Sequence, residues 1–213
     1  MSRNCPPWDL PTTEKNREAM VAEMNEFHRF IQRNSKSHIL DHGDLKTWHG
    51  RIFRKSVPLD YYAGNFRSDS ARYPCLRVNN GIDDGSMRLP GAPYLEVPRL
   101  MKELSGEMNR RIAELDQFIR ANPTPTDRAR WAVMLAALYA GRLVRIHPFL
   151  NGNGRMSRLV ANYVFARYGY PPAYFDPLPR PSKGYAEAGA AAMIGNYKPM
   201  FLYLLSALAV AVV

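Results

Sequence analysis

Between residues 97 and 119, apolar side chains recur at every third or fourth position. Val97, Leu100, Met101, Leu104, Met108, Ile112, Leu115 and Ile119 form one stripe, the pattern of a long helix with one buried face. Such a face needs neighbouring helices to cover it, and the same period returns on both sides. Met20, Met24, Phe27 and Ile31 mark a helix from about Thr13 to Gln32, with Thr12 and Thr13 after Pro11 as caps. Leu45, Trp48, Ile52 and Phe53 mark a second, over Asp44 to Arg54. Asn122-Pro123-Thr124-Pro125 stops the long helix. Thr126 then caps a helix from Asp127 to about Arg145, whose expected buried face holds Trp131, Met134, Leu135 and Leu138. Arg155 to Tyr168 reads as helical, closed by Gly169 and Pro171-Pro172. A last helical region runs from about Lys183 to the end, with a break near Gly195.

Residues 56 to 95 interrupt this pattern. Gly64, Pro74, Gly81, Gly85, Pro90, Gly91 and Pro93 break any helix there. Tyr73 to Val78 and Met87 to Leu89 read as short strands around a turn at Asn79 to Gly85. The expected fold class is all-α with one small β-hairpin. The 213 residues suit an N-terminal extension, 1–12, and one domain, 13–213.

The formal net charge of +10 admits a nucleic acid, an acidic surface or an anionic small substrate as partner, or a solvated basic face. The basic residues form no long run, so no specific nucleic-acid partner is expected. Cys5 and Cys75, the only cysteines, make neither a disulfide framework nor a zinc cluster, and a reducing compartment is expected. The N-terminus lacks the apolar core of a signal peptide. Met200 to Val213 is apolar but too short to span a membrane, which needs about 20 residues; it reads as a buried final helix.

The chemistry concentrates in His147-Pro148-Phe149-Leu150-Asn151-Gly152-Asn153-Gly154-Arg155-Met156-Ser157-Arg158. A glycine-rich turn entering a helix presents amides that have no intrahelical acceptor, at the positive end of the helix dipole. Glycines admit phosphate oxygens close to the backbone. Arg155 and Arg158 are three residues apart and project from one side of the first turn, where guanidinium groups can hold further phosphates. His147, five residues before Gly152, can take a proton from an attacking hydroxyl. A base beside a polyphosphate cradle is what attack on a nucleotide phosphorus requires.

This string resembles the signature of the Fic family, His-Pro-Phe-x-[Asp/Glu/Asn]-Gly-Asn-Gly-Arg-x-x-Arg, at every fixed position. Ala63-Gly64-Asn65-Phe66-Arg67 resembles the family's Gly-x-x-Arg element before its flap. Gly169-Tyr170-Pro171-Pro172 and Gly195-Asn196-Tyr197-Lys198-Pro199 resemble later elements of the core. The resemblance implies a Fic-type helical core with a flap at about 65–95. It implies transfer of AMP from ATP to a Tyr, Ser or Thr hydroxyl of a target protein docking on the flap, with backbone around residues 72 to 80 pairing with the target. It implies His147 as general base and Phe149, after Pro148, as the anchor of the loop. Gly152, Asn153 and Gly154 become the anion hole, Arg155 the ligand of the β- and γ-phosphates, and Arg158 the orienter of the γ-phosphate. Tyr185, Asn196 and Tyr197 are candidates for a base pocket.

Two departures stand out. Asn151 occupies the position where most members carry Asp or Glu for magnesium, so weaker binding of Mg2+ or Mn2+ is expected. No glutamate is followed by Gly or Asn, so the self-inhibitory [Ser/Thr]-x-x-x-Glu-[Gly/Asn] helix of many members is absent from this sequence. A separate antitoxin supplying that glutamate, or a translocated effector, fits this. The expected location is cytoplasmic, or a host cytosol after delivery. Alternatives are a Fic-fold transferase using UMP, phosphocholine or a phosphoryl group, or a basic binding module with a vestigial site.

Overall fold

The computed structural model describes residues 5–8, 13–83, 88–121, 123–172 and 183–212. Among these it forms seven α-helices and one hairpin: α1 (Glu14–Asn34), α2 (His42–Phe53), β1 (Gly81–Asp83), β2 (Arg88–Pro90), α3 (Val97–Arg120), α4 (Pro125–Ile146), α5 (Asn153–Arg167), α6 (Lys183–Met193) and α7 (Lys198–Val212). The all-α class with a small hairpin therefore holds.

Local chemistry sets the ends. Thr13 caps α1 by accepting from the Asn16 amide, while Thr12 lies outside the described residues. Asp41 and Asp44 cap α2 reciprocally. The cap of α4 is Thr124, not Thr126; the fixed φ of Pro125 suits the first helical position, so the helix starts two residues early.

α4 is the hub, packed against α3, α5, α6 and α7, while α1 covers α2 and α5. Enclosure shifts the buried face of α4. Of the expected residues, Leu135 is buried and Leu138 packs against the core, but Trp131 and Met134 are 46% and 40% exposed, and the buried set also takes in Ala132, Val133, Ala136, Tyr139, Ala140 and Leu143. Small residues let the neighbouring helices approach closely. α7 is buried on one face only, through Met200, Leu204 and Leu208, with Leu202 and Leu205 exposed.

The segment before the hairpin also differs from expectation. Pro74–Leu76 is a 3-10 turn and not a strand, since Pro74 has no amide to give a ladder. The strands pair further on, antiparallel, with Ile82 opposite Leu89; Met87 lies outside the described residues. Leu89 and Ile82 pack on Val144 of α4 and Met193 of α6, so the hairpin leans against the helix that ends at His147. The two cysteines correct the sequence reading: Cys5 and Cys75 are joined in a disulfide across 70 positions.

Candidate active site

His147 is the C-cap of α4 and sits in the left-handed region, φ 53°, the one described non-glycine residue there. That kink turns the chain out of α4 and toward α5. Arg67 holds it in place. Fully buried, Arg67 donates through Nε to His147 O, through Nη1 to Val78 O and through Nη2 to Ala92 O and Ile146 O, all within 3.0 Å. Its own amide donates to Pro148 O. The four carbonyls belong to the end of α4 and to both sides of the hairpin base, so one side chain locks the flap to the motif. Burial pulls the Arg67 pKa down to about 10, and it remains charged at neutral pH.

Burial, reinforced by the Arg67 charge, lowers the His147 pKa to about 4, so the imidazole is neutral at neutral pH. Nδ1 lies 3.3 Å from Val144 O, which can only accept, so Nδ1 carries the hydrogen and Nε2 the lone pair. Nε2 is thus the atom able to take a proton. The return of the hairpin passes so close that a Cβ on Gly91 would stand 2.5 Å from His147 Cβ.

Phe149 is fully buried, stacked 3.7 Å from the ring of His49 with the planes 3° apart. His49, also fully buried, went unremarked in the sequence because nothing in its neighbours, Thr47-Trp48 and Gly50-Arg51, sets it apart. It donates from Nε2 to Asn151 O and accepts at Nδ1 from the Gly64 amide. Burial takes its pKa to about 3 and keeps it neutral. Asn153 faces inward, its side chain accepting from Phe149 N and donating to Phe149 O. Gly152 caps α5 with φ 80°, and a Cβ there would meet the Phe53 ring at 2.5 Å. The loop is therefore held from beneath by aromatic packing and buried hydrogen bonds.

Its outer side is open. The amides of Asn153 and Gly154 begin α5 with no acceptor among the described residues. A Cβ on Gly154 would meet nothing within 4 Å. The chain itself thus gives no steric reason for glycine at 154, and two amides without an acceptor among the described residues begin the helix there, an arrangement suited to an anion. The two arginines diverge. Arg155 lies 5.9 Å from the Phe53 ring centroid, and the nearly buried Arg158 lies 5.6 Å from that of Tyr185.

Tyr185, Asn196 and Tyr197 are not gathered into one place. Tyr185 is buried against α5, its hydroxyl 2.9 Å from Ser157 Oγ and donating to Gly154 O. Asn196 is exposed and caps the start of α7. Tyr197 lines a cavity of about 400 Å³ with Gly91, Arg142, Arg145 and Ile146, on the side of the hairpin's return.

At position 151 both polar atoms of the side chain are engaged within the chain. Asn151 Oδ1 accepts from Gly152 N at 2.7 Å, and Nδ2 donates to Trp8 O at 2.8 Å. No group of three or more His, Cys, Asp or Glu among the described residues could hold an ion.

The model of the Fic/DOC family matches residues 39–165. The chain belongs to the Fic/DOC family. Within it, 107 residues are 38% identical to the protein adenylyltransferase and cysteine protease IbpA of Histophilus somni, spanning 45% of this chain and 2% of that protein. A 40-residue stretch is 58% identical to the protein adenylyltransferase Fic of Drosophila grimshawi, 19% of this chain and 8% of that one. The chain thus spans a small part of these relatives. Among solved structures, a Fic domain containing signaling protein from Bacteroides thetaiotaomicron superposes with a TM-score of 0.64 at 21% identity, over 95% of this chain and 74% of that one. The VirB-translocated effector BepC of Bartonella tribocorum, solved with bound AMPPNP, gives 0.61 at 18% identity, over 90% and 85%. These two share the fold.

Proposed function

We propose that this Fic domain is a protein adenylyltransferase that moves AMP from ATP to a Tyr, Ser or Thr hydroxyl of a target protein. The observation that carries the reading is the open space over Gly154 and the unsatisfied amides of Asn153 and Gly154 beside a neutral His147. The adenylyltransferase names of the relatives and the AMPPNP in the Bartonella effector agree with it. In this reading the amides of residues 153 and 154 receive phosphate oxygens, and Arg155 and Arg158 take up the β- and γ-phosphates. The target hydroxyl attacks the α-phosphorus as His147 Nε2 accepts its proton. The new bond joins the hydroxyl oxygen to the α-phosphorus, the bond to the β-phosphate oxygen breaks, and pyrophosphate leaves. Tyr185 closes the nucleotide side of α5. In this reading the target lies along the paired strands Gly81–Asp83 and Arg88–Pro90, in preference to residues 72 to 80, which include the 3-10 turn Pro74–Leu76. A divalent ion, magnesium or manganese, enters on the triphosphate and not on Asn151.

A glutamate from outside these 213 residues, on another segment or a separate protein, is the proposed restraint, and the likeness to a VirB-translocated effector supports the reading of this domain as an effector. No described helix is long and apolar enough to cross a membrane.

The test uses ATP labelled at the α-phosphate, a lysate, and His147→Ala beside the parent protein. The expected result is label on protein, lost in His147→Ala, with ATP affinity changed by less than about threefold, since the base contributes to the transition state and not to ground-state binding. Equal labelling by His147→Ala would overturn the assignment of the base.

A further inference from the structure

Residues 5–8 carry contacts that the reaction above does not use. Cys5 is tied to Cys75 in the 3-10 turn before the hairpin. Pro6 O accepts from the Tyr62 hydroxyl at 3.1 Å. Trp8 is 8% exposed and enters a box of rings made by His49, Phe53 and Tyr62, its indole N–H donating to Ser56 O at 2.8 Å. The carbonyl of Trp8 receives the Asn151 side-chain amide, whose oxygen in turn receives the amide of Gly152, the cap of α5. A chain of bonds thus runs from a covalent anchor to the loop over which the phosphates are placed. All four residues lie outside the stretch matched by the family model, 39–165.

The identity of residue 151 follows from this connection. It must donate to one carbonyl and accept from one amide. Asparagine does both; an ionised aspartate can only accept and would face the Trp8 carbonyl with a lone pair. We propose that Trp8 and Asn151 are positioning residues for the phosphate loop, held in place by the Cys5–Cys75 disulfide, so that reducing the disulfide loosens the loop and weakens nucleotide binding. The proposal rests on the reading of Gly152–Arg158 as a nucleotide-phosphate site. Cys5 is exposed, which gives a dithiol reductant access. Its thiolate forms a mixed disulfide with one sulfur, its second thiol resolves that bond, and two protein thiols and one oxidised dithiol result.

Hydrogen exchange and ATP titration test this on the full chain, oxidised and then treated with dithiothreitol. Exchange at the Gly152 amide is expected to rise about tenfold on reduction, as for loss of one interior hydrogen bond, and ATP affinity to fall by a similar factor. Exchange within α5 at 159–165 should stay unchanged, and reoxidation should restore both values. Trp8→Ala, which loosens the carbonyl that holds the Asn151 side chain, should raise exchange at Gly152 even with the disulfide intact. Unchanged exchange on reduction and in Trp8→Ala overturns the proposal. A rise spread evenly over α4 and α5 also overturns it, since the effect would then be general destabilisation. If oxidised protein binds no ATP yet the Gly152 amide responds, the nucleotide reading fails while the strap's hold on the loop stands.

Discussion

At the scale of single residues, the site separates groups that hold the chain from groups left for a ligand. Phe149, His49, Gly152 and the Asn153 side chain face inward and are fully engaged. Gly154 is the counterexample, with nothing near its absent Cβ. Gly154→Ala should therefore leave thermal stability equal or higher, by up to about 1 kcal/mol from helix propensity. It should nonetheless weaken ATP binding at least about tenfold by crowding the phosphate. Calorimetry of melting and of ATP titration separates the two effects. The buried histidines make a second prediction. His49 and His147 have folded pKa values near 3 and 4, below the ordinary 6.5. Between pH 6.5 and 4 the unfolded chain takes protons that the folded chain refuses, so stability falls with acid. Each group contributes about 1.4 kcal/mol per pH unit across that window. Urea denaturation from pH 7 to 4 checks it, and the decline attributable to His147 should level off below about pH 4.

At the scale of elements, the flap and the motif are one mechanical unit because Arg67 bonds to both. Gly91, just after the return strand, passes His147 at a distance that only glycine fits. Gly91→Ala should displace His147 or lift the hairpin, costing about 1–3 kcal/mol by overpacking. Transfer should fall more than ATP affinity, read as kcat against the ATP dissociation constant. What the sequence made legible follows from how far each signal reaches along the chain. The α1 face, Met20 to Ile31, is covered from one side and kept its period. The α4 face did not, because α4 is enclosed and its close contacts are made by alanines, while Trp131 and Met134 turn outward. The strand expected over Tyr73–Val78 failed at Pro74. The motif was readable because its twelve residues are contiguous. His49, Trp8 and the Cys5–Cys75 pair were not, because their partners lie 102, 143 and 70 positions away and only the fold brings them together.

At the scale of the whole molecule, helices enclose α4, and its C-terminal kink leads into a loop that Arg67 ties to the hairpin base and Asn151 ties to Trp8. Trp131, Met134, Phe118 and Phe201 line a separate groove of about 800 Å³ that the motif does not enter. The net charge of +10 suits a polyanionic donor but does not choose among donors. The choice among AMP, UMP, phosphocholine and phosphoryl transfer is made by which part of the donor reaches the target. ATP labelled with one isotope in its adenine and another in its γ-phosphate reads that directly on the modified target, after incubation with the parent protein and with His147→Ala. Adenine label without γ label on the protein, and neither with His147→Ala, is the expected result; γ label without adenine label would contradict nucleotidyl transfer.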